Sequence, residues 1–144
     1  MIDLLVSGNP KPQKRHRHVN RGKFVTVYDP SSGDKKDFLR ECMHHAPIDP
    51  WTDAISIQIE FAFERPKSHK GTGRNANKVK PSAPEFHISK PDCDNLQKFV
   101  FDALNGVFWK DDSIIDEVIV NKKWSSGEGY TKITIVEPED SEAF

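Results

Sequence analysis

The segment Lys90-Pro91-Asp92-Cys93-Asp94-Asn95-Leu96-Gln97-Lys98 places two carboxylates two residues apart, with a lysine four residues after the second. Pro91 fixes its own φ and keeps the residue before it out of the helical region, so a helix starts close to Asp92. Asp92 then lies near the N-cap and Asp94 in the first turn. The helix dipole favours negative charge there by about 0.3–1 kcal/mol. Capping is a sufficient account of either Asp taken singly. It accounts less well for the further acids downstream. Asp94, Lys98 and Asp102 recur at i, i+4 and i+8 on the polar face, and Asp111-Asp112 stands a few residues past the helix end. Such a turn can bring Asp92, Asp94 and one of Asp111 or Asp112 together. Carboxylates gathered so closely raise one another's pKa. A hard divalent cation relieves the repulsion, and Mg²⁺ typically takes one or two carboxylates plus waters and a substrate phosphate.

Other chemistries suit these residues less well. Zinc prefers closely spaced Cys and His, whereas Cys42 and Cys93 are far apart and the His16/His18 and His44/His45 pairs have no carboxylate or Cys partner nearby. A calcium loop needs acids at positions 1, 3 and 5, a central Gly and a Glu at 12, a pattern that is absent. An aspartyl phosphatase nucleophile ends an apolar strand, but Asp92 comes after Ser89-Lys90-Pro91.

The elements that must position these acids are legible from periodicity. Leu96, Phe99, Val100, Ala103 and Leu104 stand at i, i+3, i+4, i+7 and i+8, which predicts a helix over 94–104. Asn105-Gly106 supplies its stop, with Gly106 able to take a left-handed cap. Ile55, Ile57, Ile59, Phe61 and Phe63 alternate with Ser56, Gln58, Glu60 and Ala62, the clearest strand pattern in the chain. Further strands are expected at 2–6, 24–28, 117–124 and 130–136, the last two closing a hairpin through Gly127–Gly129. A second helix is expected over about 34–46, capped by Ser31 or Ser32, with Phe38, Leu39, Cys42 and Met43 on one stripe. The sum is an α+β domain, a small mixed or antiparallel sheet with two main helices packed on it.

One domain over 1–144 is the natural partition of 144 residues. A mean hydropathy of −0.67 with 30% charged residues indicates a lean core, yet nine Phe and three Trp argue against disorder. No apolar run is long enough to span a membrane, and the N-terminus lacks the basic and apolar regions of a signal peptide. Two cysteines and no export signal make a reduced, cytoplasmic chain the expectation. The net charge of −1 conceals an asymmetry: residues 1–90 carry +6 and residues 91–144 carry −7. The stretches 9–23 and 65–90 are basic and rich in Pro, Gly, Asn or Ser, so both read as loops, while 137–144 reads as a frayed acidic tail. A basic loop alone is usually a solvated surface. Basic loops beside an acidic half suit a metal-dependent nuclease, with cations for phosphates and carboxylates for the metal.

The run from Lys90 to Asp112 resembles the RusA family of Holliday junction resolvases, crossover junction endodeoxyribonucleases often carried by phages and prophages. The matching residues are Asp92-Cys93-Asp94-Asn95-Leu96-Gln97-Lys98, then Phe101-Asp102-Ala103-Leu104-Asn105, then Phe108-Trp109-Lys110-Asp111-Asp112. Gly8-Asn9-Pro10, the basic run Lys14–Arg17 and Tyr28-Asp29-Pro30 fit more loosely. The resemblance implies a RusA-like fold and a nuclease acting as a homodimer on four-way DNA junctions in recombination and repair. It implies Mg²⁺, with Mn²⁺ as the alternative, and no small-molecule cofactor. By position Asp92, Asp94 and Asp112 look like the family's metal-binding acids and Lys98 like its catalytic or phosphate-contacting lysine. Asp111 carries no assigned role.

One acidic cluster per chain and two symmetric cuts per junction require two chains, and a C₂ dimer matches the symmetry of the substrate. Lys14, Arg15, Arg17, Lys23, Arg65, Lys67, Lys70, Arg74, Lys78 and Lys80 are the candidate DNA contacts. Phe24 and Tyr28 read first as packed strand residues, with wedging or stacking at an opened junction as the second use. The competing functions are a broader branched-DNA or fork nuclease and a non-catalytic DNA-binding module.

Overall fold

The period-two run at 55–63 becomes the strand around which the molecule is built. A computed structural model describes residues 1–137. In chain order its elements are β1 (Ile2–Ser7), β2 (Arg17–Arg21), β3 (Phe24–Tyr28), α1 (Ser32–Cys42), β4 (Ile55–Phe63), α2 (Cys93–Leu104), β5 (Ile115–Trp124) and β6 (Tyr130–Val136). Four strands form a mixed sheet in the order β1-β6-β4-β5, and β2 and β3 form a separate two-stranded sheet. The α+β class is as expected. The acidic tail, beyond residue 137, lies outside the described residues.

β4 sits inside the sheet because its side chains are the most continuously apolar. Ile55, Ile57, Ile59, Phe61 and Phe63 are all buried on the face covered by the helices. Leu4, Val6, Ile133 and Ile135 extend that face across β1 and β6. From α2 come Leu96, Phe99, Val100, Ala103 and Leu104, and from α1 come Phe38 and Cys42. Phe38 meets Phe99 edge-on with ring centroids 5.7 Å apart, which fastens the two helices.

The expected hairpin between the last two strands is not formed. β5 pairs with β4 in parallel, β4–α2–β5 being a crossover unit, while β6 lies antiparallel on the other side of β4. The intervening segment therefore crosses the end of β4. There the Ser125 N–H donates to the Phe63 carbonyl at 2.7 Å, and the Gly8 N–H donates to the Gly129 carbonyl at 2.9 Å. A Cβ at Gly129 would lie 2.1 Å from Asn9 Oδ1 and 3.1 Å from the Ala62 carbonyl oxygen, so only glycine fits this crossing. Adjacency in sequence suggested pairing, but burying both flanks of the apolar β4 took precedence.

The basic stretch 9–23 also differs from expectation, because Arg17–Arg21 is a strand. Neither face of this strand is buried, so no alternation marks it, and the pairing is organised by a tight turn in which Gly22 takes φ +69°. The stretch 65–90 keeps two short 3₁₀ turns, at Lys67–His69 and Gly73–Asn75. α1 stops at Cys42, earlier than expected, and continues as a 3₁₀ turn over Met43–His45. Among the described residues no helix is long and apolar enough to cross a membrane.

Candidate active site

α2 begins where Pro91 ends the preceding irregular chain. Asp92 occupies the N-cap with extended backbone, φ −73° and ψ 148°. Its backbone carbonyl accepts the Leu96 N–H at 3.1 Å, but its side chain makes no capping hydrogen bond. Capping therefore does not account for the Asp92 carboxylate, which is exposed. Asp94 lies in the first turn, and its Oδ2 stands 3.4 Å from Lys98 Nζ, both side chains being mostly exposed. An exposed i,i+4 pair of this kind contributes about 0.3–0.5 kcal/mol.

The far end of α2 delivers Asp112. Asn105 N–H donates to Phe101, and Gly106 adopts φ +82°, the left-handed stop expected of it. Phe108 and Trp109 then turn fully inward. Backbone bonds with Trp51 hold the turn: the Trp51 N–H donates to Phe108 at 3.0 Å and the Lys110 N–H to Trp51 at 2.8 Å. Trp109 Nε1 donates to Asp112 Oδ1 at 2.7 Å, so a buried indole aims the carboxylate. Partial burial pushes the Asp112 carboxyl above its ordinary pKa, and the neighbouring Asp102 and Asp111 push the same way against the indole bond. Asp111 caps the short turn after it, accepting the Ser113 N–H at 3.1 Å, which gives it a structural role.

The acids so placed are hard oxygen donors, suited to Mg²⁺ or Mn²⁺. The expected gathering of three of them within one chain is a different matter. Among the described residues no group of three or more His, Cys, Asp or Glu side chains stands close enough to hold a metal ion. The neighbour that acts on Asp112 across the fold is Asp102, which sits eight residues beyond Asp94, roughly 12 Å along a helix. The donor chemistry thus fits a divalent cation held by one or two carboxylates and completed by waters and a phosphate, not a cage of three carboxylates.

Sequence patterns gave no sign of the groups that brace this site. Lys35, on α1, donates to Asp29 Oδ2 at 2.6 Å and to Asp102 Oδ2 at 3.2 Å, tying the hairpin base to α2. Partial burial raises the Asp29 pKa, but bonds from Lys35, the Ser31 N–H and Gln13 outweigh it and hold the carboxyl at about 2. Ser31 takes the N-cap position of α1, yet its hydroxyl accepts the Lys14 N–H at 2.9 Å instead of capping the helix. Lys122, on β5, donates to the carbonyls of Ser89 at 2.5 Å and Pro91 at 2.8 Å, securing the chain just ahead of Asp92. No spacing rule links these residues; only the fold makes them neighbours.

The candidate DNA contacts divide into two groups. Lys14, Arg15, Arg17, Lys23, Lys67, Arg74, Lys78 and Lys80 are exposed. Arg65 and Lys70 are half-buried. Arg65 Nη1 donates to the Pro84 carbonyl at 2.8 Å, and its guanidinium lies 5.6 Å from the centroid of Trp124. His87 stacks on the same indole at 4.1 Å, and His69 meets it edge-on at 4.9 Å. Arg65 therefore serves first to dock the basic 65–90 stretch on the end of the sheet. Burial, with Lys122 and His69 nearby, pushes the His87 pKa down, favouring the neutral ring in that stack.

Comparison with known proteins bears on this arrangement as a whole. The profile of a family described as Endodeoxyribonuclease RusA matches residues 7–136. A protein of Bacillus subtilis (strain 168) designated uncharacterized protein YqaN is 32% identical over 129 residues, covering 86% of this chain and 88% of that protein.

Proposed function

The chain belongs to the family of RusA endodeoxyribonucleases, and from that premise we propose that it is a Mg²⁺-dependent enzyme that resolves four-way DNA junctions by paired, symmetric phosphodiester cleavage. The observation that carries the site assignment is the Asp92 carboxylate, which stands at an N-cap without capping it. Asp92, Asp94 and Asp112 are the candidate carboxylates, of which one or two would hold the cation while waters and the substrate phosphate complete it, with Mn²⁺ as an alternative to Mg²⁺. When bound, the metal lowers the pKa of a coordinated water and neutralises charge on the leaving oxygen.

The protein's own side chains supply the rest. Lys98 faces the same solvent as Asp94 and is placed to stabilise charge developing on the phosphate. The Trp109 indole keeps the Asp112 carboxylate aimed. The exposed lysines and arginines of 14–23 and 67–80 hold the DNA backbone, a sequence-independent and salt-sensitive contribution. Two cuts on a two-fold substrate call for two chains, so the working form is a homodimer. It acts in DNA recombination and repair, in the cytoplasm.

The test is cleavage of a synthetic four-way junction, a replication-fork analogue and a linear duplex, with and without Mg²⁺, by wild type and Asp94→Asn. The proposal expects symmetric nicks in the junction alone, dependent on metal and lost in Asp94→Asn, with junction binding retained or tightened because a carboxylate facing phosphate is gone. Equal cutting of the fork would make it a broader branched-DNA nuclease. Binding without cleavage at any metal concentration would leave a DNA-binding module.

A further inference from the structure

The β2–β3 hairpin stands apart from the main sheet and has no buried residue. Phe24 is 74% exposed, Val25 65%, Val27 58% and Tyr28 43%. The packed-strand expectation for Phe24 and Tyr28 is thus corrected. An isolated two-stranded hairpin is marginal in water, and clustered exposed apolar side chains mark a surface that meets something.

The register shows what that surface presents. Arg17 is paired with Tyr28, Val19 with Thr26, and Arg21 with Phe24. Residues directly opposite in an antiparallel pair share a face. One face therefore carries two aromatic–arginine pairs, separated by four residues or roughly 13 Å of strand. His18, Val27, Asn20 and Val25 fall on the other face.

The base of the hairpin is fixed beside the candidate active site. The Gln13 N–H donates to the Asn95 carbonyl in the first turn of α2 at 2.9 Å. Gln13 Nε2 donates to Asp29 Oδ1 at 2.9 Å, and the Ser31 N–H donates to the same oxygen at 2.8 Å. Both ends of the hairpin are thus bound to each other and to the turn that bears Asp92 and Asp94.

Charge selects the occupant. Residues 14–28 hold five Lys or Arg and no Asp or Glu, so a second copy of this hairpin is repelled and a polyanion is attracted. We infer that the hairpin is a base-stacking element, with Phe24 and Tyr28 receiving unpaired bases at the branch point of the DNA while Arg17 and Arg21 hold the adjoining phosphates. Alternating aromatic and cationic groups are how proteins grip single-stranded nucleotides without reading sequence. The source of those nucleotides, a branch point, rests on the nuclease function proposed above.

The experiment places 2-aminopurine at the crossover of a four-way junction and measures its fluorescence on binding in EDTA, alongside binding of a short oligothymidylate. Wild type, Phe24→Ala/Tyr28→Ala and Phe24→Leu/Tyr28→Leu are compared. Both substitutions fall on exposed side chains, so unchanged melting curves are expected. Wild type should raise the fluorescence. The alanine and leucine pairs should abolish the rise and weaken oligothymidylate binding about tenfold or more, leaving the salt slope unchanged because no cation is removed. A variant that keeps the fluorescence rise and the oligothymidylate affinity overturns the inference, as does a wild type that binds no oligothymidylate. A variant that falls from dimer to monomer in sedimentation without DNA also overturns it, assigning the face to a second copy. Base stacking by a wild type that cuts no junction in Mg²⁺ would uphold the hairpin and defeat the nuclease proposal instead.

Discussion

At the residue scale, the candidate site is defined by which carboxylates the fold already occupies and which it leaves for the proposed chemistry. Asp111 is occupied as a cap, Asp102 and Asp29 are occupied by Lys35, and Asp92 has no capping duty. Among the described residues, the ion-pair partner of Lys98 is the weak, exposed Asp94. Lys98→Ala should lower the cleavage rate by about 10²-fold with little change in junction affinity, measured by single-turnover kinetics and by titration. A change in affinity alone would move Lys98 to the DNA-holding set. Asp29 gives a prediction of opposite kind, on stability. Its folded pKa of about 2 lies below the ordinary 3.8, so the ionised form is favoured by the fold. The contribution is present above about pH 4 and is lost as pH falls from there toward 2. Asp29→Asn should therefore melt below wild type at neutral pH, with the gap closing over that acidic window in thermal melts. A gap independent of pH would show that the carboxylate charge is not the cause.

At the element scale, the turn after α2 is a packing device with a chemical consequence. Trp109 is fully buried, lies 5.8 Å from the Phe101 ring centroid, and donates to Asp112. Trp109→Ala should cost about 3–5 kcal/mol. Trp109→Phe keeps most of the apolar volume and removes the indole N–H. It should lose cleavage out of proportion to stability, seen by comparing denaturant midpoints with junction-cutting rates. Equal modest losses in both would reduce Trp109 to a core residue. The same logic separates α2 from the β2–β3 hairpin. α2 is positioned by an apolar stripe, whereas the hairpin, which has no buried residue, is held at its base by polar bonds.

At the scale of the molecule, charge is divided between the N-terminal basic segments and the acidic remainder. The two parts meet at the start of α2, where Gln13 contacts Asn95. Under the proposed function, a phosphate backbone lying along 14–23 would be led toward Asp92. Each phosphate neutralised contributes about 0.9 to the slope of log K against log salt. Arg15→Ala/Arg17→Ala should flatten that slope by about 1–2, measured by fluorescence anisotropy across a salt series. An unchanged slope would make this segment a bystander to DNA binding. Two such molecules related by a two-fold axis would present two basic tracks and two acidic sites to one junction.

Local patterns were sufficient for the apolar stripe of α2, the alternation of β4 and the glycine stop at Gly106, because each depends on neighbours within a few residues in the chain. Periods of 3.6 and 2 are imposed by backbone geometry and are visible wherever one face is buried. Patterns failed where pairing was decided between distant segments. The β5–β6 hairpin looked right locally, yet β4 took both strands as hydrogen-bonded neighbours, which places this most apolar strand inside the sheet with both edges paired. Arg17–Arg21 showed no alternation because neither face of the hairpin is buried, so burial left no mark on its residues. The ties from Lys35, Gln13 and Lys122 join segments as far apart in the chain as Gln13 and Asn95. Hydrogen bonds at such separations come into being only when the chain has folded, and they decide which carboxylates stay available for chemistry.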